Sequence, residues 1–134
     1  MGNDPAFDKR SKQKKLNILV VDDQRIPRLL GSKVVEKMGH TPITAINGVE
    51  CLAKFKECGD IAVVVLDYQM PQMNGMDALK ELMKIDPDVK VIICSADTEC
   101  LKPEDFLCSG AKVFLAKPYD IETLRNRINE LVDQ

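Results

Sequence analysis

The chain has 134 residues, 45% of them hydrophobic and 30% charged, with a net charge of −2. That is enough sequence for one globular domain, and it excludes a disordered chain, a second sizeable domain and a membrane-spanning helix, since no apolar run approaches the ~18 residues a span requires. The polar start, MGNDPAFDKRSKQKK, holds no apolar stretch of the secretory kind, so a cytoplasmic protein without membrane insertion is expected.

Residues 1–15 read as a basic, solvated tail or linker, with Lys9, Arg10, Lys12, Lys14 and Lys15 against Asp4 and Asp8. The run is short and lacks interleaved aromatic residues, which argues against direct contact with nucleic acid. The folded domain is expected over 16–133. Its first strand is 16–21, LNILVV, ending at Asp22 and Asp23. Ile26, Leu29, Leu30, Val34 and Met38 then recur at helical spacing, with Pro27 confined to the first turn and Gly39 as the stop. His40 follows that stop and is expected at the surface. Residues 43–46 make a short strand, and Pro42 before it points to a sheet edge. Asn47 suits an N-cap for a helix over 48–57, closed by Gly59.

Residues 61–66, IAVVVL, form the most apolar strand, as expected of a parallel sheet covered on both faces. It ends at Asp67, and a loop runs to Gly75. Met76, Leu79, Leu82 and Met83 make the next helical stripe; these methionines, with Met70 and Met73, are expected to pack in core or loop. Residues 91–94 are a fourth strand ending at Ser95. Pro103 is tolerated only at a helix start, so a short helix over 103–110 is expected after a loop over 96–102. Residues 113–116 are a fifth strand ending at Lys117 and Pro118. Asp120 caps a last helix with Ile121, Leu124, Ile128 and Leu131 inward. Five cysteines, Cys51, Cys58, Cys94, Cys100 and Cys108, are an odd number without a C-x-x-C pair, and the only histidine is His40. Buried thiols in a reducing compartment are therefore expected rather than disulfides or zinc.

Five β-α alternations argue an α/β fold with a parallel sheet and right-handed crossovers. Ligands of such sheets bind beyond the carboxyl ends of the strands. There the sequence places Asp22, Asp23, Asp67, Ser95 and Lys117. Singly, each could cap a helix or a turn, or be a solvated lysine. Capping does not explain three carboxylates meeting at one spot, because two of them ~5 Å apart repel by about 3 kcal/mol at an effective dielectric of ~20. Three need a cation, and hard carboxylate oxygens suit Mg2+. Beside a divalent cation a carboxylate can act as nucleophile toward a phosphoryl group, giving an aspartyl-phosphate. Asp67, on the most buried strand, is the best nucleophile, with Lys117 and Ser95 placed to meet phosphoryl oxygens.

At VVDD (20–23), LDYQMPQMNG (66–75), CSA (94–96) and GAKVFLAKP (110–118) the chain resembles the receiver domain of two-component response regulators, over residues 16–133. The resemblance implies a doubly wound, flavodoxin-like α/β fold, a five-stranded parallel sheet in the order 2-1-3-4-5 with five helices. It implies Asp67 as phosphoacceptor, with Asp22, Asp23, Asp67 and the backbone carbonyl of Gln69 as the Mg2+ ligands. Lys117 would bind the phosphoryl group and form a cis bond to Pro118, and Ser95 and Phe114 would be the switch pair. A histidine kinase or histidine phosphotransfer protein would be the donor. An unknown protein target would be engaged through the face of helix 4, strand 5 and helix 5. The segment 101–110, with Pro103, departs from the regular fourth helix of that family, and Phe114 lacks a tyrosine hydroxyl, so only its packing can report the switch.

The resemblance implies a phosphoacceptor rather than an enzyme with its own substrate; transfer to Asp67 and slow hydrolysis from it would be self-catalysed. An aspartate-nucleophile phosphohydrolase is the alternative, though Gln69 stands where such enzymes carry a second acid. The first turn, DDQRIPRLLG, has neither of the glycine-rich patterns of a nucleotide site. If the chain is complete, its output is binding to another molecule, as in a chemotaxis-type stand-alone receiver; a module excised from a larger hybrid kinase or regulator is the other possibility.

Overall fold

The computed structural model describes residues 15–97 and 102–133. Apart from Lys15, the expected basic tail lies outside the described residues, as does Cys100. The elements run β1 (Asn17–Val21), α1 (Arg25–Lys37), β2 (Thr41–Ala45), α2 (Gly48–Cys58) and β3 (Ile61–Asp67). They continue with α3 (Gly75–Ile85), β4 (Val91–Ser95), α4 (Pro103–Cys108), β5 (Val113–Ala116) and α5 (Ile121–Val132). The sheet order is β2-β1-β3-β4-β5 and every pairing is parallel. The expected α/β architecture is therefore present, with β2 and its Pro42 at the edge.

Side chains alternate across the sheet with the two-residue period of a strand. Leu19, Val21, Val64, Leu66, Val91 and Ile93 meet α2, α3 and α4 through Cys51, Phe55, Leu79, Leu82 and Phe106. Ile18, Val20, Val63, Val65, Ile92 and Leu115 meet α1 and α5 through Val34, Val35, Leu124, Ile128 and Leu131. Two apolar layers thus hold the strands so that their carboxyl ends share one rim.

Helix ends follow their local chemistry. The Asn47 side chain accepts from Glu50 N–H at 2.7 Å and that of Asn74 from Asp77 N–H at 2.9 Å. Gly59 ends α2 in the left-handed region, with φ of 67°. α4 begins at Pro103 as expected but stops at Cys108. Gly110, with φ of 116°, turns the chain back toward β5.

Four expectations need correction. α1 does not bury its large apolar residues: Ile26 is 66% exposed and Leu30 49%, and Leu29 is exposed too. The buried face is Gly31, Val34 and Val35. Gly31 allows it, since a Cβ there would lie 2.9 Å from Val20 Cγ1. On α5, Ile121 is 56% exposed while Leu124, Ile128 and Leu131 point inward. His40 is not a surface residue. It is 8% exposed, and its Nδ1 accepts from Leu16 N–H at 3.2 Å, because the Gly39 turn (φ 88°) folds it back under the start of β1. That burial lowers its pKa below the usual histidine value. Of the thiols, Cys51 and Cys94 are buried as expected, but Cys58 and Cys108, at helix C-termini, are exposed.

Candidate functional site

The rim collects Asp22 and Asp23 after β1, Asp67 at the end of β3, Ser95 at the end of β4 and Lys117 after β5. Carboxylate oxygens of Asp22, Asp23 and Asp67 all lie within 4.8 Å of one another. Lys117 Nζ donates to Asp22 Oδ2 at 3.0 Å and sits 3.0 Å from Asp67 Oδ1. The second contact is an ion pair without hydrogen-bond geometry, which leaves Asp67 Oδ1 buried and without a directed donor.

Asp22, Ser95 and Lys117 are held through backbone atoms, and Asp67 through the residue after it. Asp22 N–H donates to Ala45 O at 3.2 Å, and Arg28 Nη1 donates to Asp22 O at 2.9 Å. Asp22 does not cap α1 with its side chain in the N-cap position; its Oδ1 accepts from Gln24 N–H at 3.0 Å, and Gln24 is the cap residue. Lys117 N–H donates to Ser95 O at 2.8 Å, and the Lys117–Pro118 bond is cis. Behind Asp67, Tyr68 N–H donates to Cys94 O and Gly75 N–H to Tyr68 O, both at 2.8 Å.

The electrostatics follow from crowding. Burial raises the Asp67 pKa to about 6; the Asp22 charge adds to this, while Lys117 opposes it. Lys117 is penalised most by burial, yet its contacts with Asp22 and Asp67 outweigh that and hold its pKa above the usual lysine value. Among the described residues three carboxylates face one ammonium, Asp23 is open to solvent, and one oxygen of Asp67 has an ion pair but no hydrogen bond of good geometry. Such a donor set fits a hard divalent cation with room for water ligands.

The remaining sequence candidates sit around this cluster. The Ser95 hydroxyl donates to Asp97 O and accepts from Asp97 N–H, both at 3.0 Å, so it is engaged within its own loop. Gln69 is exposed in the loop after Asp67. Phe114 is half-buried and stacks on Phe106 with ring centroids 5.4 Å apart. Sequence reasoning missed Arg28, whose signal is its place one helical turn inside α1. It also missed Gln72, which has φ of 72° and lies under a Met73 N–H to Pro71 O bond of 2.8 Å. That is a γ-turn with positive φ, a strained form that functional loops retain.

The family profile of the response regulator receiver domain matches residues 18–129. This chain belongs to the response regulator receiver family. The receiver is 36% identical over 115 residues to the chemotaxis protein CheY of Thermotoga maritima, covering 85% of this chain and 95% of that one. It is 36% identical over 114 residues to sporulation initiation phosphotransferase F of Bacillus subtilis, covering 84% and 90%. Among solved structures it resembles a chain of the CheX–CheY–BeF3–Mg2+ complex from Borrelia burgdorferi, with a TM-score of 0.82 and 32% identity over 87% of this chain and 89% of that one. Receiver domains are phosphoacceptor signalling modules, and the acidic pocket of this one is the cluster just described. Among the described residues no helix is long and apolar enough to cross a membrane.

Proposed function

We propose that this receiver is a two-component switch that takes a phosphoryl group on Asp67 from a histidine kinase or histidine phosphotransfer protein. The observation that carries this is Asp67 itself: a carboxylate 4% exposed at the end of an apolar strand, with Asp22, Asp23 and Lys117 gathered on it. A carboxylate is buried at such cost only where a charge partner or a reaction uses it.

The step needs little from the protein beyond position and charge. An oxygen of Asp67 forms the new P–O bond as the P–N bond of a phosphohistidine breaks. The donor imidazole keeps the electron pair and is reprotonated from water. Lys117 holds Asp22 and Asp67 together before transfer and neutralises the phosphoryl group after it. Ser95, turning from Asp97, offers its hydroxyl to a phosphoryl oxygen. Asp22, Asp23, Asp67 and the Gln69 carbonyl would hold Mg2+, which when bound supplies neutralising charge to the phosphoryl oxygens.

Pro27, Leu30, Pro118, Tyr119 and Ile121 line a groove of about 410 Å³ that opens beside Lys117. A donor docked in it would bring its histidine to the rim. Output would pass through the α4, β5 and α5 face, where Pro103, Leu107, Phe114 and Arg127 line a second depression. A cytoplasmic location, where histidine kinases act, fits this reading, with residues 16–133 as the receiver body and residues 1–15 as a basic linker.

Intact mass after incubation with Mg2+ and acetyl phosphate tests it. One phosphoryl adduct is expected, lost in Asp67→Asn and on chelation of Mg2+. An adduct that persists in Asp67→Asn contradicts the reading. Turnover of phosphate esters without any kinase would instead favour the phosphohydrolase, which Gln69, lacking an acidic proton, speaks against.

A further inference from the structure

We propose that Phe106 is a coupling residue that ties α4 to the phosphoacceptor strand through Tyr68, by a route that does not pass through the Ser95 hydroxyl. The proposal rests on the reading of Asp67 as phosphoacceptor and names how that site reaches its output face.

α4 has six residues and one buried side chain, Phe106, at 0% exposure. A helix this short has no stability of its own, so the seat of that ring decides where α4 lies. Its first turn is closed locally, with Lys102 N–H donating to Asp105 Oδ2 at 2.8 Å, so the helix can shift as a unit. Within the apolar cluster that buries it, Phe106 meets two other rings. Tyr68 meets Phe106 edge-on, with centroids 5.2 Å apart and planes at 73°. Phe114 stacks on it at 5.4 Å and 19°. These are the two geometries that aromatic quadrupoles favour.

Tyr68 is the residue after Asp67, and its backbone is clamped between Cys94 O and Gly75 N–H. A displacement of the Asp67 main chain therefore carries the Tyr68 ring with it. Phe114 cannot change rotamer without losing its stacking partner, so the switch aromatic and α4 move together. Packed rings shift between discrete arrangements rather than deform smoothly, which converts a small shift at Asp67 into a new seat for α4. The Ser95 hydroxyl, bonded to Asp97 at both donor and acceptor, is not a link in this chain of contacts.

The test is amide hydrogen exchange of α4 in the whole chain, with and without beryllium fluoride and Mg2+, alongside intact mass after acetyl phosphate treatment. Wild type should change its α4 exchange on loading. Phe106→Leu should still take the phosphoryl group but lose the α4 change, whereas Ser95→Ala, compared at the same phosphorylated fraction by intact mass, should keep at least half of it. A full α4 response in Phe106→Leu overturns the proposal, as does a response lost as completely in Ser95→Ala. If α4 of Phe106→Leu is already unprotected before loading, Tyr68→Leu decides, since Phe106 keeps its stack on Phe114: a lost response supports the route and a full response overturns it. An adduct on wild type with unchanged α4 exchange overturns this proposal alone. No adduct on wild type overturns the reading of Asp67 and this proposal with it.

Discussion

Asp67 works against the stability of the fold it sits in. Its folded pKa of about 6 lies above the ordinary 3.8, so the native state disfavours its charged form, burial being the main cause. The cost is absent below pH ~4, grows as pH rises through the interval up to the folded value, and is complete above it, at about 3 kcal/mol for a shift of ~2 units. In Mg2+-free buffer, Asp67→Asn should therefore gain about 1–3 kcal/mol at pH ~7.5 and little at pH ~4, read from urea midpoints at the two pH values. A loss of stability at the higher pH would show that Lys117 already compensates the charge. At this scale the sequence was legible where chemistry demands a residue type. Asp22, Asp23, Asp67 and Lys117 end strands, and the strand-end rule brings them together without knowledge of any distance. Arg28 and the γ-turn at Gln72 were not legible, because each acts through a backbone atom of another residue. Nor was the burial of His40, which depends on where the Gly39 turn returns the chain.

Among the elements, α1 shows what periodicity can and cannot say. The 3.6-residue spacing identified the helix and its inward Val34 and Met38 but also placed Ile26, Leu29 and Leu30 on that stripe, because glycine carries no hydrophobic signal. Gly31 lets α1 approach β1 so closely that Val34 and Val35, rather than Leu29 and Leu30, reach the core. Of the large residues left outside, Leu30 lines the apolar groove beside Lys117. Pro103 was read correctly, since proline fixes a helix start by covalent geometry alone. Gly75 joins an element to the site. A Cβ there would lie 2.6 Å from both Asp67 O and Tyr68 Cα, and these are backbone atoms that cannot swing aside. Gly75→Ala should cost about 1–3 kcal/mol as an overpacked contact. It should also slow acetyl phosphate labelling of Asp67 by displacing the main chain behind it. Stability and labelling rate unchanged from wild type would mean that α3 can shift at no cost.

At the scale of the molecule, a sheet with two covered faces leaves one rim for chemistry, and the rim is acidic. A cation bound there stabilises only the folded chain. At a Mg2+ concentration ten times its dissociation constant the gain should be about 1.4 kcal/mol. It should fall as pH drops below about 6, where protons compete for Asp67. Thermal unfolding with and without Mg2+ at two pH values measures it, and a gain that persists in Asp67→Asn would place the cation elsewhere. The fold as a whole was legible because alternation and strand-end polarity are both written in sequence, whereas the ring contacts of α4 join residues from the loop after β3, from α4 and from β5 that no local pattern connects. Whether Asp67 carries the phosphoryl group can be read from borohydride reduction after Mg2+ and acetyl phosphate, followed by peptide mass mapping. Homoserine is expected in place of Asp67 and nowhere else; homoserine at another carboxylate, or at none, would rule Asp67 out as the phosphoacceptor.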